Sequence, residues 1–243
     1  MNISVIPTAQ QAQGIDFSGH IAIVIDVLRA TSVITTALDN GAREVIPVKS
    51  LEEAQRLFAA LDADTTLRGG ERHALKIEGF ELSNSPLEYT KDRVGGKTLI
   101  LTTTNGTNAI INIKGVDEVI LACFRNVAAV VDYLVRLLHR GSRNVIIVCA
   151  GTEDRFSLDD GLCAGMLIST LNGKAEIELD DLGLLLSRFY DFSKENLMDA
   201  LSGCYHRKRL AELGFEDDIR FCLERNVVSI VPVFSNGKVL KAE

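Results

Sequence analysis

The chain has 243 residues, 47% of them hydrophobic and 24% charged, with a formal net charge of -7. That length buries a substantial core, and the composition excludes the disordered and fibrous classes. The acidic balance argues against nucleic acid, whose polyanionic backbone calls for a basic face. A small anion is not excluded, because local arginines or a divalent cation reverse the field inside one cleft.

The N-terminal stretch MNISVIPTAQQ has no basic segment followed by a long apolar run, and no apolar run is long enough to span a bilayer. No membrane partner and a cytoplasmic location are therefore expected. Five cysteines, at 123, 149, 163, 204 and 222, form no C-x-x-C pair and read as reduced core or bystander residues.

In chain order, IAIVIDVLRATS from Ile21 is the first β-branched run that ends in polar residues and passes into helical spacing. EVIPV at 44 to 48 predicts a second strand, and Leu51, Ala54, Leu57, Phe58 and Leu61 carry the spacing of a helix. Residues 67 to 89, LRGGERHALKIEGFELSNSPLEY, mix glycines with both charge signs and predict a long loop able to close over a ligand. KTLILTTTNGTNAIINI, residues 97 to 113, repeats the strand-to-helix plan, and DEVILA at 117 to 122 predicts a further strand.

Asn126 is placed to cap a helix over 126 to 140, in which Val127, Val130, Val131, Leu134, Leu137 and Leu138 form the apolar face. RNVIIVCAGTEDRFSLDDGLCAGMLIS, residues 143 to 169, is the third strand-to-helix segment. From 178 to 224 the sequence turns helical and more charged, and reads as a helical insertion. VVSIVPVF at 227 to 234 predicts the last strand, with FSNGKV as a tight turn. Strands alternating with helices, several of them apolar throughout, predict one α/β domain over 1–243. The expected architecture is a three-layer α/β/α sandwich with a mainly parallel, mixed sheet.

In open α/β sheets ligands sit beyond the carboxyl ends of strands. That rule collects Asp26, Arg29, Thr31 and Ser32 from the first segment with Thr102, Thr103, Thr104, Asn105, Gly106 and Thr107 from the second. From the third it adds Glu153, Asp154, Arg155, Ser157, Asp159 and Asp160, and the long loop contributes Glu71, Arg72, Asn84 and Ser85. Taken alone, TTTNGT and SLDD read as helix caps. Taken together, helix N–H groups and Arg29 can receive a phosphate or sulfonate, and Asp26, Glu71, Asp159 and Asp160 can hold Mg²⁺. Asp26 is the strongest of these, because an acid closing the strand IAIVID is disfavoured by both β-propensity and burial.

The four histidines, at 20, 73, 139 and 206, are too dispersed for a zinc pattern, and Cys149 at a strand end reads as core. G-x-S-x-G, P-loop and G-x-G-x-x-G motifs are absent, which removes support for a serine hydrolase, P-loop NTPase or simple dinucleotide enzyme.

Four blocks, DVLRATS from 26, GERHALKIEGFELSNSP from 70, TTTNGT from 102 and CAGTEDRFSLDDGLCAG from 149, resemble the 2-phosphosulfolactate phosphatase family of coenzyme M biosynthesis. The sequence departs from the family pattern at Ser83, where glycine is usual, and at His73, which replaces a small residue. The resemblance implies a Mg²⁺-dependent phosphatase that converts 2-phospho-3-sulfolactate to 3-sulfolactate and phosphate, with activity on other 2-phospho carboxylic acids.

Two routes stay open at this point: metal-activated water attacking phosphorus, or Asp26 attacking to form an aspartyl phosphate. The second echoes phosphatases that carry another acid two residues after the nucleophile, a position held here by Leu28. A noncatalytic binding protein for sulfonated or phosphorylated acids, working through the same cleft, is the rival reading. The expected partner is a small anionic substrate, and a homo-oligomer is allowed.

Overall fold

The computed structural model describes residues 1–116, 118–138 and 144–242. It opens with a strand absent from the sequence expectation, β1 (Asn2–Ile6), followed by β2 (His20–Ile25), α1 (Ala30–Asp39), β3 (Glu44–Pro47) and α2 (Leu51–Ala60). The stretch read as a loop from 67 is instead β4 (Thr66–Arg72), hairpinned to the short β5 (Leu75–Lys76). Its alternation is masked by Gly69 and Gly70, which let β4 lie close to its neighbours. A Cβ on Gly70, whose φ is +141°, would overlap the Thr102 carbonyl.

After a short α3 (Lys91–Val94) come β6 (Thr98–Thr102), α4 (Gly106–Asn112), β7 (Val119–Ala122), α5 (Val127–Leu138), β8 (Asn144–Cys149) and α6 (Leu158–Asn172). The end of the expected 126–140 helix, including His139, lies outside the described residues, as do Asp117 and Arg143 at two expected strand starts. Asn126 does not cap α5. Its amide oxygen accepts from Cys123 N in the preceding turn, and Asn226 accepts from Ala128 N instead. The remaining elements are β9 (Glu178–Leu179), α7 (Asp181–Ser193), α8 (Leu197–Ala200), α9 (Tyr205–Glu212), α10 (Glu216–Cys222), β10 (Pro232–Ser235) and β11 (Lys238–Lys241). Asn236 and Gly237, both at positive φ, turn the last hairpin as expected.

The sheet order is β5-β4-β6-β3-β11-β10-β7-β2-β8-β1-β9. β4, β6 and β3 pair in parallel, as do β7, β2, β8, β1 and β9. The C-terminal hairpin joins these blocks through three antiparallel steps, so in pairing sense the blocks run opposite ways. A flat sheet of this kind would send the ends of β2 and β6 to opposite edges. Each step adds roughly 20–25° of twist, however, and five steps separate the two strands. The sheet consequently curls around α1, which touches β3, β7, β10 and β11, and the two strand ends converge.

Three apolar clusters hold these layers. Val33, Ile34 and Leu38 of α1 and Ile110 of α4 pack inside the curl against Val24, Leu99, Leu121 and Val148. On the outer face of the larger block, Val130 and Leu134 of α5 and Leu162 and Leu167 of α6 cover Ile23, Ile25 and Ile147. Ala54 of α2 covers Ile100 outside the smaller block. Leu186, Leu201, Leu210 and Ile219 from the 178–224 region join the cluster under α5 and α6, so this region is built into the core. Among the described residues no helix is long and apolar enough to cross a membrane.

Candidate active site

Where β2 gives way to α1, the chain satisfies its own polar groups. Asp26 Oδ1 accepts from Ala30 N at 3.0 Å, while Thr31 Oγ1 accepts from Asp26 N and donates to the Asp26 carbonyl. Ser32 Oγ donates to the Val27 carbonyl at 2.8 Å. Thr31 and Ser32 are fully buried and lock the junction; they do not line the cavity, contrary to the expected substrate-binding role.

The β6–α4 junction uses the same device. Thr103 Oγ1 accepts from Thr107 N and Thr107 Oγ1 accepts from Thr103 N, which caps α4 without the Asn105 side chain. Thr107 is therefore structural. Gly106 packs so closely that a Cβ would overlap both Asp26 Oδ2 and the Ala30 Cβ. This contact joins the two strand ends, and it requires glycine.

Between them opens a cavity of about 200 Å³. On the strand side it is lined by Asp26, Leu28, Arg29, Glu71 and Thr103 to Asn105. Burial, reinforced by the charges of Asp159 and Glu71 and opposed by His206 and the Ala30 N–H, raises the Asp26 pKa to about 6.

The four acids expected to ligate a metal are not gathered into one set. Both Asp160 oxygens accept backbone N–H groups, Val27 at 2.8 Å and Gly151 at 3.0 Å, pinning the end of β2 to that of β8. Burial and the nearby Asp159 and Asp26 charges push the Asp160 pKa well up. Glu71 spends its oxygens on Thr104 N at 2.7 Å and Ala74 N at 2.8 Å, though it still lines the cavity. Asp159 Oδ1 accepts from Ser157, and its buried Oδ2 lies 3.6 Å from His206 Nδ1. Among the described residues no group of three or more His, Cys, Asp or Glu side chains is arranged to hold a metal ion.

The arginines also differ from expectation. Arg29 is buried, stacked over Phe215, and donates to Asp218 Oδ2 at 2.6 Å and to the Ala74 carbonyl at 2.9 Å. Asp218 Oδ1 in turn accepts from Ser85 Oγ at 2.6 Å. Ser85 thus belongs to an Arg29–Asp218–Ser85 network, while Asn84 beside it faces the cavity with its buried Oδ1 unpartnered. Arg72 reaches away to the Glu71 carbonyl and Thr102 Oγ1. Arg155 is exposed on a turn and is absent from the cavity lining.

What sequence reasoning missed comes from α9 and α10. Tyr205, His206 and Arg209 line the opposite wall, and Asp218 holds Arg29. Burial lowers the His206 pKa, but the Asp159 and Asp26 carboxylates outweigh it and the net shift is upward. The same contact, with Ser157, holds Asp159 below its ordinary value against the opposing effect of burial. The only signal in the sequence was a histidine and an arginine three apart in HRKR, which a solvated helix explains equally well. Cys149 is fully buried with its pKa raised, as a core thiol.

A buried acid, an imidazole and two arginines facing one cavity where β2 and β6 converge define an α/β enzyme suited to a small anion. The chain belongs to the 2-phosphosulpholactate phosphatase family, whose model matches residues 6–237. It is similar to a "Probable 2-phosphosulfolactate phosphatase" of Caldanaerobacter subterraneus subsp. tengcongensis, at 50% identity over 89% of this chain and 88% of that one. Proteins of the same name from Clostridium perfringens (strain SM101 / Type A) and Thermotoga petrophila are 42% and 43% identical. They cover 100% and 91% of this chain and 97% and 92% of their own lengths.

Proposed function

We propose that this chain hydrolyses 2-phospho-3-sulfolactate to 3-sulfolactate and phosphate with the aid of Mg²⁺. The observation that carries the reading is Asp26, a buried carboxyl with a pKa of about 6 facing the same cavity as His206. A group with that pKa takes and returns a proton near neutrality, as general base catalysis requires. Asp26 in this role accepts the proton of the attacking water, held in place by its bond to Ala30 N. Direct attack by Asp26 is disfavoured, because Leu28, two residues on, is buried and apolar and supplies no second acid. His206, its pKa shifted upward by the Asp159 and Asp26 carboxylates, offers an imidazole N–H on the opposite wall, where a departing alkoxide needs a proton.

For the metal, the chain offers Glu71, which lines the same cavity as the base Asp26. One carboxylate fits Mg²⁺, which commonly takes one or two protein carboxylates and would complete its shell with phosphate oxygens and water. When bound, the ion neutralises charge on the phosphoryl group. Glu71's two backbone bonds fix its carboxylate at the wall. Phosphate release from 2-phospho-3-sulfolactate, lost on adding EDTA and restored by Mg²⁺, is the expected result. Saturable binding without release at mildly acidic or neutral pH, metal present, overturns the proposal in favour of a noncatalytic binder.

A further inference from the structure

The two walls of the cavity differ in how their charges are satisfied. On the strand side, Glu71 is bonded to two amides, and Arg29 to Asp218 and the Ala74 carbonyl. On the α9 side, Arg209 lines the cavity, yet its guanidinium makes no hydrogen bond or ion pair with any described residue. It stands three residues after His206, so both project from one face of α9. An unpaired surface arginine is ordinary, but this one shares the cavity with a second unsatisfied group. Asn84 is only 4% exposed, and its Oδ1 is buried without a partner. Its Nδ2 is neither bonded nor buried, so the N–H donors of that amide are the atoms it presents to an anion.

A 2-phospho-3-sulfo acid brings three anionic groups to this cavity, and hydrolysis uses one. Asp26 and Glu71 occupy the strand-side wall, where a further anionic group is repelled. From the unpaired guanidinium of Arg209 and the unpartnered amide of Asn84, we infer that these two side chains bind the substrate's sulfonate. They would make the enzyme prefer sulfonated 2-phospho acids over plain ones. A sulfonate presents three equivalent oxygens, which suits a guanidinium fork on one side and an amide donor on the other. The inference rests on the proposed phosphatase activity and adds the feature of the substrate that is read.

The test compares 2-phospho-3-sulfolactate with 2-phospholactate, which lacks the sulfonate, on wild type, Arg209→Gln and Arg209→Lys. Arg209 is exposed, so these variants fold. Arg209→Gln should lose roughly ten- to hundredfold in kcat/KM on the sulfonated substrate, the size of one charge-assisted bond. It should lose little on 2-phospholactate, and lysine should restore part of the difference. Equal losses on both substrates place Arg209 on the carboxylate or phosphate and overturn the inference, as does no loss on either. Calorimetric binding of 3-sulfolactate gives a readout independent of turnover. If wild type binds it and Arg209→Gln does not, the subsite stands even should the phosphatase reading fail; equal binding by both overturns the subsite alone.

Discussion

The β2–α1 junction and the α9–α10 region reach the same cavity by opposite means. At the junction, Asp26, Thr31 and Ser32 are bonded to atoms within five residues of themselves. In the α9–α10 region, Asp218 bonds Arg29, 189 residues away in sequence, and Ser85, 133 away. The first is a local device that the chain carries wherever it goes. The second exists only once the fold has formed, so its residues are open to loss by changes far from the cavity.

The largest expected effect sharpens the local side. Asp26→Asn keeps an acceptor for Ala30 N but removes the titrating group, and should lower phosphate release about 10³-fold with the circular dichroism spectrum unchanged. A loss below tenfold would remove Asp26 from the chemistry.

Asp218→Ala probes the long-range side. Arg29 and Asp218 are 2% and 3% exposed, and removing one partner strands a buried charge. Such breaks cost about 3–5 kcal/mol, read as a fall in the urea midpoint. Thr31→Ala, which breaks two local bonds and leaves the buried Asp26 N–H unpaired, should cost about 2 kcal/mol. If both variants cost the same, the contrast between the regions fails.

Gly106→Ala forces a methyl against Asp26 and Ala30, where the two strand-to-helix junctions meet. Overpacking of this kind costs about 1–3 kcal/mol, and activity should fall further than stability because Asp26 itself must move.

Asp26 also sets a pH dependence. Its folded pKa of about 6 lies above the ordinary value of 3.8, so the folded state holds the proton that the unfolded chain releases. The group's stabilising contribution is full below the lower value and disappears as pH rises through the upper one. Urea midpoints for wild type minus Asp26→Asn should decline across that window, and a flat or rising difference would contradict the shift.

The smallest effect lies in the β4–β5 turn. His73 and Ala74 both sit at positive φ, +54° and +69°, in a two-residue hairpin turn that favours Asn-Gly. Ala74→Gly relieves a left-handed alanine and should raise stability by about 1 kcal/mol, measured by thermal melting.

The three strand-to-helix segments were legible because burial, β-branching and polar termination all follow from local sequence. Thr31, Ser32 and Thr107 stand at the expected junctions with their hydroxyls bonded to backbone, and a hydroxyl that bonds a ligand looks the same in sequence as one that bonds its own backbone. β4 was hidden because its two glycines remove the side chains that alternation relies on. Arg155 and Arg209 are equivalent as letters, and only packing shows which of them faces the cavity.

By itself, the sequence determined the α/β plan, the acid that ends β2 and the family blocks, because these depend on neighbours within a few residues. The tertiary structure decided that two oppositely running blocks curl until their strand ends meet, that α9 forms the far wall with His206 and Arg209, and that Asp218 of α10 holds Arg29. Those outcomes depend on accumulated twist and on pairings between residues far apart in the chain, and no local pattern encodes either.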